Sequence, residues 1–136
     1  INVASLSLPS PPLGFTEEML GAQWFDARRF PQMNFRSTGV QSTGANTARV
    51  TGDFTLHGTT KPVALDVRFI GGYGGHPLDP NGRIGFSARG VLKRSEFGMA
   101  LGVPAPGSSM GVGDEVEIAI EAEFTGPPWT PPLSTP

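Results

Sequence analysis

Between residues 115 and 124 the side chains alternate without a break. Val116, Ile118, Ile120, Ala122 and Phe124 fall on one face, and Glu115, Glu117, Ala119, Glu121 and Glu123 on the other. Side chains of an extended strand point to opposite faces in turn, so a period of two describes a strand with one face in a core and one in water. The pattern recurs at 62–70, where Val63, Leu65, Val67 and Phe69 oppose Ala64, Asp66 and Arg68. It recurs again at 83–93, where Ile84, Phe86, Ala88, Gly90 and Leu92 share a face and Gly90 predicts a bend or bulge. Residues 33–40 and 47–57 read as two more strands, set off by turn residues at Gly44-Ala45-Asn46 and Gly58-Thr59-Thr60. With 1–8 read as a strand halted at Pro9, Pro11 and Pro12, the chain holds six strands and the class is all-β.

One short helix interrupts this texture. Thr16 stands ahead of Glu17 and Glu18 as an N-cap with acids in the first turn, and the helix runs toward Leu20. Trp24, Phe25, Phe30 and Met33 follow as an aromatic cluster around Asp26, Arg28 and Arg29, with Pro31 ending any helix before it. Residues 71–82 and 100–113 are rich in Gly and Pro and read as loops, the second of them mobile and close to an opening. The tail 126–136 has five prolines and reads as an extended segment, either disordered or borrowed by a neighbour.

Length and charge set limits on function. A chain of 136 residues makes one domain with a modest core. A net charge of −2 offers no basic surface for nucleic acid or for anionic membranes. Charge is uneven: residues 1–94 carry ten bases and six acids, and 95–136 carry six acids and no base. Solvated outer faces that balance across neighbouring strands account for this without a docking surface. The absence of cysteine removes disulfides and thiolate chemistry. No apolar run reaches the roughly 20 residues of a membrane-spanning helix, so no stable membrane insertion is expected. The chain begins at Ile1 and not at Met, which implies that a segment upstream was removed or left out.

Several stretches, in order, carry a family resemblance: Trp24-Phe25-Asp26 through Phe30-Pro31, Phe35-Arg36-Ser37-Thr38, residues 50–58 with Thr60-Lys61-Pro62-Val63, residues 94–99, and Val112-Gly113-Asp114-Glu115-Val116. Over roughly residues 1–125 the chain resembles a YceI-like protein. The resemblance implies an antiparallel lipocalin-like β-barrel of eight strands whose tubular apolar interior holds a polyisoprenoid chain such as a quinone tail. It also implies a bacterial protein exported to the periplasm or secreted, with a cytoplasmic location as the alternative. The family domain opens with two further strands, so residues 1–125 correspond to an N-terminally incomplete barrel, followed by the 126–136 tail. Strands from elsewhere in a longer protein, or from a second copy by exchange in a homodimer, would complete it.

The expected function is therefore non-enzymatic binding, transport or storage of a long apolar lipid, with no cofactor and no metal. The expected lining comprises Leu20, Trp24, Phe25 and Phe30 from the helix and aromatic cluster, with the helix as a lid. From the strands come Phe35, Phe54 and Leu56, then Val63, Leu65, Val67 and Phe69, then Phe86 and Phe97, and finally Val116, Ile118, Ile120 and Phe124. A filled β-sandwich serving as a structural or stress-response interaction module is the alternative, because periodicity alone does not separate a hollow interior from a packed one. Catalytic constellations are thin. His57 reads as outward and structural, and His76 with Asp79 falls short of a metal site. Ser37, Ser87 and Ser95 have no His and acid at a recognisable spacing. The glycines of 71–75 precede no helix that would cradle a phosphate. Phe97 and Gly98 suit a strand end that folds an aromatic ring over the interior.

Overall fold

The computed structural model describes residues 1–128. Five antiparallel strands, β1 (Asn34–Gly44), β2 (Thr47–Leu56), β3 (Thr59–Tyr73), β4 (Asn81–Lys93) and β5 (Glu115–Pro128), form one sheet in the order of the chain. The order β1-β2-β3-β4-β5 leaves β1 and β5 at the two edges, so the sheet is open rather than closed into a barrel. A single sheet also removes the two-layer sandwich as the arrangement of these strands.

Residues 1–8 are not a sixth strand. Val3–Ser5 is a turn of 3-10 helix begun by Asn2, whose side chain accepts from the Ala4 N–H, and the segment's backbone pairing with the rest of the chain is confined to Ile1, Asn2 and Val3 against Pro31, Gln32 and Met33, around one isolated bridge, Asn2 to Gln32. An Asn side chain that bonds its own following backbone competes with a sheet ladder, and here the local bond wins. The helix α1 (Phe15–Leu20) forms where expected but starts two residues early, with Gly14 in the left-handed conformation as its N-cap and no side-chain cap bond from Thr16. Residues 126–128 extend β5 and pair with β4; the rest of the proline-rich tail lies outside the described residues.

Register aligns the apolar positions into rows across the sheet. Ala48, Val67, Ala88 and Ile120 lie side by side on β2, β3, β4 and β5, and Phe69 faces Phe86, which faces Ala122. The core gathers on this face: Phe54, Leu56, Val63, Leu65, Ala88, Leu92, Phe97 and Met99 are buried together. Gly90 makes no bulge. It pairs in register with Ile118, and a Cβ there would stand 2.7 Å from Leu65 Cδ2, so the glycine makes room for a neighbouring side chain. The register shifts fall instead at Ser37/Gly39, Ser42/Gly44, Phe69/Gly71 and Asn81/Arg83. On the opposite face Arg89 pairs with Glu121 at 3.1 Å, Arg83 pairs with Glu123, and Arg49 lies 3.5 Å from Asp66. Two of the six late acids, Glu121 and Glu123, thus face bases of β4.

Candidate functional site

An apolar cavity of about 520 Å³ lies against one end of the core face, within the usual size range of small-ligand sites. Its floor is sheet: Phe54 and Leu56 of β2, Leu92 of β4, and Val116 and Ile118 of β5. Its other walls come from segments outside the sheet. Met19 at the end of α1, Trp24 and Phe25 close one side, Leu6 and Met33 another, and Met99, Val112 and Gly113 a third. Unbranched thioether side chains suit such a wall, since they adapt to the shape of what they cover.

Backbone hydrogen bonds hold the aromatic wall in place. After α1 the chain wraps back on the helix end: the N–H of Phe25 donates to the Met19 carbonyl at 3.0 Å and that of Asp26 to the Gly21 carbonyl at 2.9 Å. Asp26 takes φ 44 and is buried, and its carbonyl accepts from the N–H groups of Arg29 and Phe30. This tight turn aims Trp24 and Phe25 at the sheet, while Phe30 goes elsewhere.

Arg94 secures the third wall. It is 5% exposed, and its guanidinium donates to four carbonyls: Nε to Gly113, Nη1 to Met99 and Leu101, and Nη2 to Val112, all within 2.6–2.8 Å. The 100–113 segment, expected to be a mobile loop, is thereby tied at both ends to a single side chain. Asp114 anchors the same corner, accepting from both the N–H and the hydroxyl of Ser95 at 2.8 Å. Those two hydrogen bonds, then the nearby positive charges of Arg94 and Lys93, hold its carboxyl below the usual carboxylate range. The Trp24 ring lies 5.5 Å from the Arg94 guanidinium carbon, a cation–π contact inside the cavity wall.

Of the residues expected to line a tube, Trp24, Phe25, Phe54, Leu56, Val116 and Ile118 meet in this cavity. Val63, Leu65 and Phe97 are packed solidly beneath it, with Phe35, Val67 and Ile120 against their margin. Phe97 is 1% exposed and meets the Phe54 ring edge-on at 5.8 Å, so it is a core residue and not a lining one. Phe30 packs on the His57 ring at 4.7 Å and under Gly58. Leu20 is half-buried at the end of α1, away from the cavity lining. Phe69, Phe86 and Phe124 form a separate edge-to-face row across β3, β4 and β5, with Phe124 57% exposed.

Leu6, Met19, Met33, Leu92, Arg94, Met99 and Val112 belong to the cavity but were not expected there. Leu92 was legible, since it shares the alternating face of β4. The rest lie in aperiodic segments, and no local signal assigns them a wall. His57 is also placed differently from its expected outward strand position. It sits in the β2–β3 turn with φ 51, its Nδ1 donating to the Phe97 carbonyl at 3.3 Å and its Nε2 buried without a partner among the described residues. His76 and Asp79 do not converge as ligands: His76 Nδ1 accepts from the Leu78 N–H, and the Asp79 carboxylate is held by Arg83 and Tyr73.

Known proteins place this architecture. A UPF0312 protein of Pseudomonas putida strain W619 is 36% identical over 123 residues, which cover 89% of this chain and 59% of that one. A UPF0312 protein of Pseudomonas fluorescens SBW25 is 35% identical over the same shares. The chain therefore spans about three fifths of the length of these curated relatives. Among solved structures, BcnA of Burkholderia cenocepacia superposes with a TM-score of 0.73 at 29% identity, covering 92% of this chain and 71% of that one. The Campylobacter jejuni YCEI protein superposes with a TM-score of 0.76 at 24% identity, covering 93% and 70%, and so shares the fold. The model of the YceI-like domain matches residues 1–124, and the chain belongs to that family.

Proposed function

We propose that the protein is a non-enzymatic carrier that binds a long apolar chain, a polyisoprenoid of the quinone-tail kind, to store or move it. The observation that carries this reading is the cavity of about 520 Å³ whose floor is the apolar face of the sheet. That face continues past the cavity along Ala88 and Ile120 to the row of Phe69, Phe86 and Phe124, which supplies a track for a chain longer than the cavity. Burying hydrocarbon along such a surface is favourable by about 25 cal/mol per Å², and a linear isoprenoid presents little that needs a polar partner.

The same reading has the open edges of β1 and β5 paired by further strands, either from a longer protein or from a second copy, so that the track becomes a tube. An exported location, in the periplasm or outside the cell, goes with it and is checked by fractionating cells that express the native gene. The packed-sandwich alternative has no second sheet among the described strands to support it.

The test is direct. Purified protein is stripped of lipid, incubated with decaprenol or ubiquinone, passed over a sizing column, and extracted for mass spectrometry. Stoichiometric co-elution is expected. A protein that arrives without lipid and retains neither compound is not an isoprenoid carrier.

A further inference from the structure

We propose that the cavity takes its ligand by a polar end, and that Arg94 receives the hydrogen-bond-accepting oxygen of that end. The inference rests on the apolar-chain reading above and adds to it the chemistry of one terminus.

A guanidinium has five N–H donors and no acceptor. Nε of Arg94 spends its donor on the Gly113 carbonyl, Nη1 spends two on Met99 and Leu101, and Nη2 spends one on Val112. Among the described residues one Nη2–H is left without an acceptor, on a residue that is 5% exposed. No ion pair among the described residues includes Arg94. Asp114, the acid whose charge it feels, is already engaged by the Ser95 N–H and hydroxyl. Arg94 is thus a buried cation with a spare donor, and it forms part of the wall of a largely apolar cavity.

Such a group discriminates between ligands. A pure hydrocarbon filling the cavity excludes water from the leftover donor and leaves it unpaired. An oxygen with partial or full negative charge satisfies that donor and gains a charge-assisted hydrogen bond. The four carbonyl bonds fix the guanidinium plane before any ligand arrives, so little ordering accompanies the contact. The other charged wall residue is Glu115, which opposes a full negative charge nearby. The class of ligand that fits is a long-chain amphiphile ending in a hydrogen-bond-accepting oxygen, with a neutral carbonyl favoured over a carboxylate.

Three probes of equal chain length test this on the unaltered protein: hexadecane, a hexadecanone and palmitate. The ketone is expected to bind about tenfold tighter than the alkane or better, the gain of one hydrogen bond to a charged group. The infrared stretch of its isotopically labelled carbonyl is expected to move to lower wavenumber on binding. The palmitate arm separates a neutral head from an anionic one. In Arg94→Lys, which lacks the planar fork, the ratio of ketone to alkane affinity should fall toward one. A purely structural role for Arg94 would lower both affinities and leave their ratio unchanged. Equal affinities for all three probes, with an unmoved carbonyl stretch, overturn the assignment of Arg94 while leaving the carrier reading intact. Failure of all three to bind overturns the carrier reading and this inference with it.

Discussion

Phe97 shows how much one side chain does in a small core. It sits in the 3-10 turn Arg94–Phe97, which Gly98 ends at φ 77, and it is almost wholly buried against the edge of Phe54. Phe97→Ala is expected to lower stability by about 3–5 kcal/mol through lost transfer energy and the void left behind, read from the urea midpoint. Asp114 in the same corner makes stability depend on pH. Its carboxyl titrates lower in the folded protein than in the unfolded chain, so the unfolded chain takes up the proton first as pH falls. The stability it contributes is fully present at neutral pH and declines as pH drops through the carboxylate range, about pH 4 and below. Asp114→Asn is expected to flatten that decline, measured as urea midpoints against pH. Ile118 lines the cavity without being fully buried, so Ile118→Asp is expected to weaken retention of decaprenol by at least about tenfold, with folding checked by circular dichroism.

At the scale of the element, alternation placed β3, β4 and β5 correctly because a period of two needs only neighbouring residues to be seen. The turns were less legible. The β2–β3 reversal is the two-residue loop His57-Gly58, with φ 51 and 74, and not Gly58-Thr59-Thr60. Two consecutive positive φ values make a type I′ hairpin, where Asn or Asp usually stands first; His tolerates the left-handed region and so fills the place without announcing it. The alternation predicts a bend or bulge at Gly90, yet the register is unbroken there. Its role depends on Leu65, 25 residues away and on another strand, which no local pattern reveals. Gly90→Val should therefore destabilise β3–β4–β5 packing by about 1–3 kcal/mol through overpacking, while circular dichroism stays that of a β protein.

For the whole molecule, the five-stranded sheet has β1 and β5 as edges with no outer partner strand among the described residues, and Val40, Ile84 and Phe124 are exposed apolar residues. Edges of this kind pair with other strands unless they are blocked. The protein is expected to self-associate through them, seen as a sedimentation coefficient that rises with concentration and as slowed amide exchange in β1 and β5 of the associated form. The alternating runs by themselves determined that the chain is β, that its strands carry one apolar face, and that Glu117, Glu121 and Glu123 face outward, because each is set by neighbours two residues apart. Only the tertiary structure decided that residues 1–8 leave the sheet and that the sheet stands open. It alone brought Leu6, Met19, Met33 and Met99 together with Arg94 as a cavity, since these contacts join segments that lie far apart along the chain and share no period.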